Sequence, residues 1–186
     1  MTLVEVVVAI SILAVLSTAS LGVYLSAMNA ASSQQRREVA VTIASQELEG
    51  ISTIVPSTLY SGRPAAAVEA LRLANIDVPG VKKTFAVSSA ATPTTVPLTS
   101  EVTRSGTKYT ISTVIGTCFQ PKGGGTCTVT GSYPAQPATP AGSTVLSRVI
   151  VVVRWTAGSD CRPTACMYET STLVDANSDL RWNTHD

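Results

Sequence analysis

The chain has 186 residues, enough for one modest domain and a long helix. Only 13% of them are charged and the formal net charge is +1. That argues against a polyanion as the main partner, because phosphate neutralisation needs clustered lysine and arginine. Arg36-Arg37 and Lys82-Lys83 are the only basic pairs, and they read as solvated faces or a headgroup-level anchor. No specific nucleic-acid site is visible.

The first element is an apolar helix. From Met1 to Gln35 the only charged side chain is Glu5, and Val6 to Leu16 is interrupted only by Ser11. Met1 to Leu25 meets the length of about 20 mostly apolar residues that a membrane-crossing helix needs. No lysine or arginine precedes the run, as a cleaved secretory signal would require. The stretch therefore reads as the start of a processed protein, or of one whose leader is missing from the sequence. An ionised group near the apolar core of a bilayer costs several kcal/mol, so it usually has a partner and a task. In one reading Glu5 snorkels to the interface near a helix start, where the dipole favours negative charge. In the sharper reading it meets a positive charge from another molecule, the nearest candidate being the free α-amino group at Met1 of a neighbouring copy.

Met1-Thr2-Leu3-Val4-Glu5-Val6, followed by an apolar helix, resembles the mature amino terminus of the type IV pilin family, which includes the pseudopilins of type II secretion. Ser45-Gln46-Glu47-Leu48-Glu49 is similar to the helix end of several minor pilins and pseudopilins. Beyond Gly50 the likeness is one of pattern. The resemblance implies a short basic leader, removed after a glycine by a membrane prepilin peptidase that also methylates the new terminus. Here that terminus is Met1, where the family most often has phenylalanine. It implies a pilin fold and a homo- or hetero-oligomeric filament with other pilins, built by a pilus assembly platform and held together through Met1 and Glu5. The subunit would sit as a single pass in the cytoplasmic membrane before assembly and on the cell surface afterwards, serving adhesion, motility or DNA uptake. A pseudopilin of a type II secretion system is one alternative. A monomeric membrane-anchored adhesin is another, and Glu5 counts against it.

Gly22, with Ser17, Thr18 and Ser20, weakens the middle of the apolar half, since glycine in a helix interior costs about 1 kcal/mol against alanine. The family often has proline at the matching place, and the helix there melts in some assembled filaments. Gly22 is thus the expected helix weak point.

The helix is expected to continue to about Val55, closed by Pro56, a rise of about 80 Å. Residues 1–25 form its hydrophobic half and 26–55 an amphipathic half. From the end of the former through the latter, Leu25, Met28, Ser32, Val39, Ile43, Leu48, Ile51 and Val55 recur at mostly helical spacing, a face that should pack on a soluble domain. Residues 56–81 read as a loop containing a short helix, Arg63 to Arg72, with Pro64 at its first position. Val78-Pro79-Gly80 ends that excursion.

Residues 82–186 have β texture. The expected strands are Lys83 to Ser88, Thr99 to Arg104, Lys108 to Phe119, Val145 to Thr156 and Met167 to Val174. Ser105-Gly106 is a hairpin signal. Val149 to Val153 is apolar on both faces and should be a central strand, with the long helix on one side. Pro134 to Ser143 reads as a surface loop. The fold class is α+β: a long amino-terminal helix packed on an antiparallel sheet.

Cys118, Cys127, Cys161 and Cys166 all lie in the domain expected to be exported, where an even count favours disulfides. Three pairings are possible. Cys118 with Cys127 and Cys161 with Cys166 is favoured, because each pair closes a short loop next to an expected strand. A Cys₄ zinc site usually shows two Cys-x₂₋₄-Cys hooks, and one spacing here is too long. No cofactor is expected. Nor is an enzyme: the single histidine, His185, is next to last, no catalytic triad can be built without it, and Lys122-Gly123-Gly124-Gly125 has the wrong order for a phosphate loop. Paired carboxylates such as Asp175 and Asp179 are too common near a terminus to point to catalysis.

Overall fold

The computed structural model describes residues 2–129, 138–156, 161 and 165–175. Met1, Asp179, His185 and residues 134–137 of the Pro/Ala-rich loop lie outside them. The chain divides into two compact units, Met1–Val39 and Ala40–Asp186.

Helix α1 (Leu3–Ser52) is 50 residues long and begins in the first unit. Every residue from Thr2 to Ala31 is exposed. In the second unit α1 buries Ala40, Ile43, Ala44 and Ile51. Leu25, Met28 and Val55, expected on the packed face, are all more than half exposed. The buried stripe is made partly of alanines, which let a helix approach its neighbours closely. A reading based on large apolar residues passes over them. A 3₁₀ turn at Pro56–Thr58 follows the helix.

Helix α2 (Ala65–Ala74) carries Pro64 at its N-cap rather than inside its first turn. Helix α3 (Pro79–Lys82) forms where Val78-Pro79-Gly80 was expected to end the helical segment. Proline has no N–H to lose at the first helical position, so Pro79 starts a turn there as readily as it stops one.

Five strands make one antiparallel sheet: β1 (Phe85–Ala86), β2 (Thr99–Arg104), β3 (Thr107–Pro121), β4 (Ser143–Trp155) and β5 (Cys166–Val174). The order is β1-β3-β4-β5, with β2 also paired to β3. The hairpin between β2 and β3 turns on Ser105 (φ 48°) and Gly106 (φ 73°), the two positive φ values that match the twist of the flanking strands. β4 is central, and Val149 to Val153 are at most 1% exposed. On one sheet face Val114, Ile150 and Val152 join Leu71, Val78 and Val81 of the α2–α3 segment in a single core cluster. Val149, Val151 and Val153 point to the other face and are buried as completely. With α1 and this sheet in one chain, the architecture is α+β.

Two buried arginines tie the loops to the sheet. Arg63, fully buried, donates through Nη1 to the Val96 carbonyl (3.1 Å) and through Nη2 to the Thr113 carbonyl (2.5 Å). Its backbone also pairs with Ser89 through hydrogen bonds of 2.8 and 2.9 Å. Burial pulls the guanidinium pKa down to about 10, which still leaves it charged at neutral pH. Arg148 on β4 donates to the carbonyls of Lys83 (3.1 Å) and Cys127 and to Thr84 Oγ1 (3.2 Å), and burial lowers its pKa too. Backbone carbonyls thus supply the acceptors that keep each charge solvated inside the fold. Tyr60 Oη and Ser147 Oγ share a 2.7 Å hydrogen bond. Burial raises the Tyr60 pKa, and that hydrogen bond opposes the rise.

Candidate functional site

The residues expected to act are found on α1 and in the cysteine loops. α1 is long and apolar enough to cross a membrane, and its apolar part is unburied. From Leu3 to Leu25 every residue is exposed. Its serine and threonine hydroxyls face the helix itself. Ser11, Ser17 and Ser20 each donate at 2.8 Å to the carbonyl four residues back, and Thr18 donates to the carbonyls of Ala14 (3.2 Å) and Val15 (2.9 Å). Such back-bonding spares a hydroxyl from seeking water and makes it tolerable in an apolar medium.

Glu5 has no such recourse. It lies in the first turn, where the helix dipole favours a carboxylate, and its backbone N–H is engaged with the Thr2 carbonyl (3.1 Å). Its side chain has no ion-pair partner among the described residues. The proposed partner atom, the amine of Met1, lies outside the described residues. α1 runs through Gly22 without interruption, and nothing lies within 4 Å of the position a Cβ would take there. Glu5 and Gly22 therefore share one exposed helix, but about 26 Å of helix separates them.

The cysteines lie elsewhere, in the sheet unit. Cys118 on β3 is bonded to Cys127 with a Cα–Cα distance of 5.4 Å, and Cys161 to Cys166 on β5 at 4.9 Å. A bridge between Phe119 and Thr128 runs beside the first disulfide, which packs with Leu146. This loop also holds the Cys127 carbonyl against Arg148. Replacing Cys118 and Cys127 together by alanine is expected to lower unfolding free energy by about 2–3 kcal/mol, since a loop of this size is freed in the unfolded chain. Urea unfolding of the full chain in detergent, without reductant, measures this. An unchanged midpoint would show that the bond is dispensable.

The chain matches no family model, no curated protein and no solved structure. The functional argument therefore rests on the chain's own residues. Sequence reasoning did not single out Arg63 or Arg148. For the arginines the available signal is only negative: neither has an acidic residue within four positions along the chain.

Proposed function

We propose that the protein is a structural subunit of a type IV pilus-like filament. The apolar half of α1 anchors it in the cytoplasmic membrane before assembly and joins a bundle of like helices afterwards. Glu5 then accepts the Met1 ammonium of a neighbouring subunit. One observation carries this reading: an exposed, largely apolar helix surface, whose Ser11, Ser17, Thr18 and Ser20 hydroxyls are bonded back to the helix, holds a single carboxylate with no ion-pair partner among the described residues. A long apolar amino-terminal helix and an antiparallel sheet in one α+β chain are compatible with a pilin-like fold, and the Met1-to-Glu5 motif resembles the processed end of that family. The prepilin peptidase and an assembly platform are the implied partners. Two disulfides suit an oxidising location outside the cytoplasm.

Mass spectrometry of filaments sheared from the cell surface tests this reading. The amino-terminal peptide is expected to begin at an N-methylated Met1. A longer, unprocessed terminus on the filament protein would refute it.

A further inference from the structure

We infer that Arg148 couples the Cys118–Cys127 disulfide to strand β1, so that oxidation of this one cysteine pair closes β1 onto the sheet and its reduction releases β1.

Arg148 stands on β4 opposite Gly116 of β3. Gly116 has no side chain, and the Thr84–Phe85 segment lies so close over it that a Cβ there would overlap the Phe85 carbonyl oxygen. From β4 the guanidinium reaches two segments at once. Nη1 donates to the Lys83 carbonyl (3.1 Å) and to Thr84 Oγ1 (3.2 Å), where the chain enters β1. Nη2 donates to the Cys127 carbonyl, in the disulfide loop. None of these acceptors is a carboxylate. Arg148 is only 7% exposed. A buried charge solvated by neutral dipoles alone loses heavily when one of them is withdrawn.

Each segment is weakly held by itself. β1 is two residues long and pairs with β3 only at Phe85 and Ala86, continued by one hydrogen bond from the Val87 N–H to the Ile115 carbonyl (3.3 Å). Cys127 follows Gly123, Gly124 and Gly125, which give the chain broad conformational freedom once it is untied. What ties it down is the bond to Cys118, beside the backbone pair of Phe119 and Thr128 (2.8 and 3.0 Å). In oxidation the two thiols lose two electrons and two protons and the S–S bond forms. An external disulfide accepts them and leaves as a dithiol. The new bond fixes the Cys127 carbonyl in front of Arg148, and the satisfied guanidinium stays in place to hold Lys83 and Thr84. Reduction reverses each step. By linkage, Arg148 favours the oxidised pair as strongly as the oxidised pair favours the contacts of Arg148. A chain that enters an oxidising compartment thereby completes this edge of its sheet.

Two measurements on the full chain in detergent test the coupling. In the first, the protein is equilibrated with mixtures of reduced and oxidised dithiothreitol, free thiols are alkylated, and each disulfide is followed by peptide mass spectrometry. Arg148→Met should shift the equilibrium of Cys118–Cys127 toward the thiols by about tenfold or more, the effect of one hydrogen bond to a charged group. Cys161–Cys166 should not move. The second needs no substitution: amide hydrogen exchange compares oxidised and reduced wild type. The amides of residues 84–87 should exchange at least about tenfold faster after reduction, with those of β2 unchanged, as local opening requires. A Cys118–Cys127 equilibrium indifferent to Arg148→Met would overturn the coupling, and so would 84–87 amides indifferent to reduction. Equal acceleration in β2 would mean that the disulfide holds the whole sheet unit, and would overturn the local release of β1.

Discussion

Gly116→Val should unfold the sheet unit or leave it close to unfolding. Gly116 sits in β3 between Ala86 of β1 and Arg148 of β4. A Cβ placed there would overlap the Phe85 carbonyl oxygen and come within 2.7 Å of Thr84 Cγ2. The first obstacle is backbone, and it is held on both sides. Phe85 and Ala86 pair with Thr117 and Gly116, while Arg148 fixes Thr84 and the Lys83 carbonyl from across the sheet. No flexible side chain can yield. Overpacking by ordinary methylenes costs about 1–3 kcal/mol, a range suited to Gly116→Ala if β1 detaches. Valine adds two more methyls against the same backbone and should exceed about 4 kcal/mol, a large share of the stability of a domain this size. Gly50→Ala is the contrast: nothing lies within 4 Å of its Cβ position, and removing a helical glycine should stabilise by about 0.5–1 kcal/mol. Urea unfolding of each full-length variant in detergent, followed by circular dichroism, gives both values. A wild-type midpoint for Gly116→Val would mean that β1 does not press on β3.

Gly116 also shows where legibility in the sequence ends. β2 to β5 were readable to within two residues because β-branched residues alternate there, and Val149 to Val153 could only be a strand covered on both faces. Within β3, however, Gly116 occupies an ordinary position in the alternation. What makes it special is a segment 30 residues away, β1, which is only two residues long and whose sequence signal ran wider, from Lys83 to Ser88. The arginines are a similar case. A charged residue in a sequence suggests surface, and the burial of Arg63 and Arg148 depends on carbonyls of Val96, Thr113, Lys83 and Cys127 that only the folded chain brings into reach. On α1 the position is reversed. Glu5 is conspicuous in the sequence as the single charge in an apolar run. The inward hydroxyls follow from helix geometry alone, since serine and threonine reach the carbonyl three or four residues back in any helix. The packed stripe of α1 was misjudged at its ends, because Ala40 and Ala44 carry the closest packing with the smallest side chains.

Glu5→Val should leave insertion of α1 in the membrane intact and should nearly abolish entry into filaments. In the proposed membrane state, Glu5 and the amino terminus would lie at the interface, where water and headgroups solvate them. In the proposed filament they lose that solvation, and each subunit's carboxylate compensates a neighbour's ammonium. Valine leaves the ammonium buried and unpaired, which costs about 3–5 kcal/mol, a factor of about a hundred or more in incorporation. The pair need contribute little net stability. Its proposed role is to set the stagger between neighbours, because a shifted register would leave both charges unpaired. Glu5→Asp should do partial damage, as the shorter side chain reaches less far.

Quantifying the subunit in membrane and sheared-filament fractions, for wild type and Glu5→Val at equal expression, tests this most directly. The account predicts equal membrane pools, leader removal in both, and a filament pool for Glu5→Val that falls by about a hundredfold or more. A Glu5→Val subunit that reached sheared filaments as fully as wild type would contradict it.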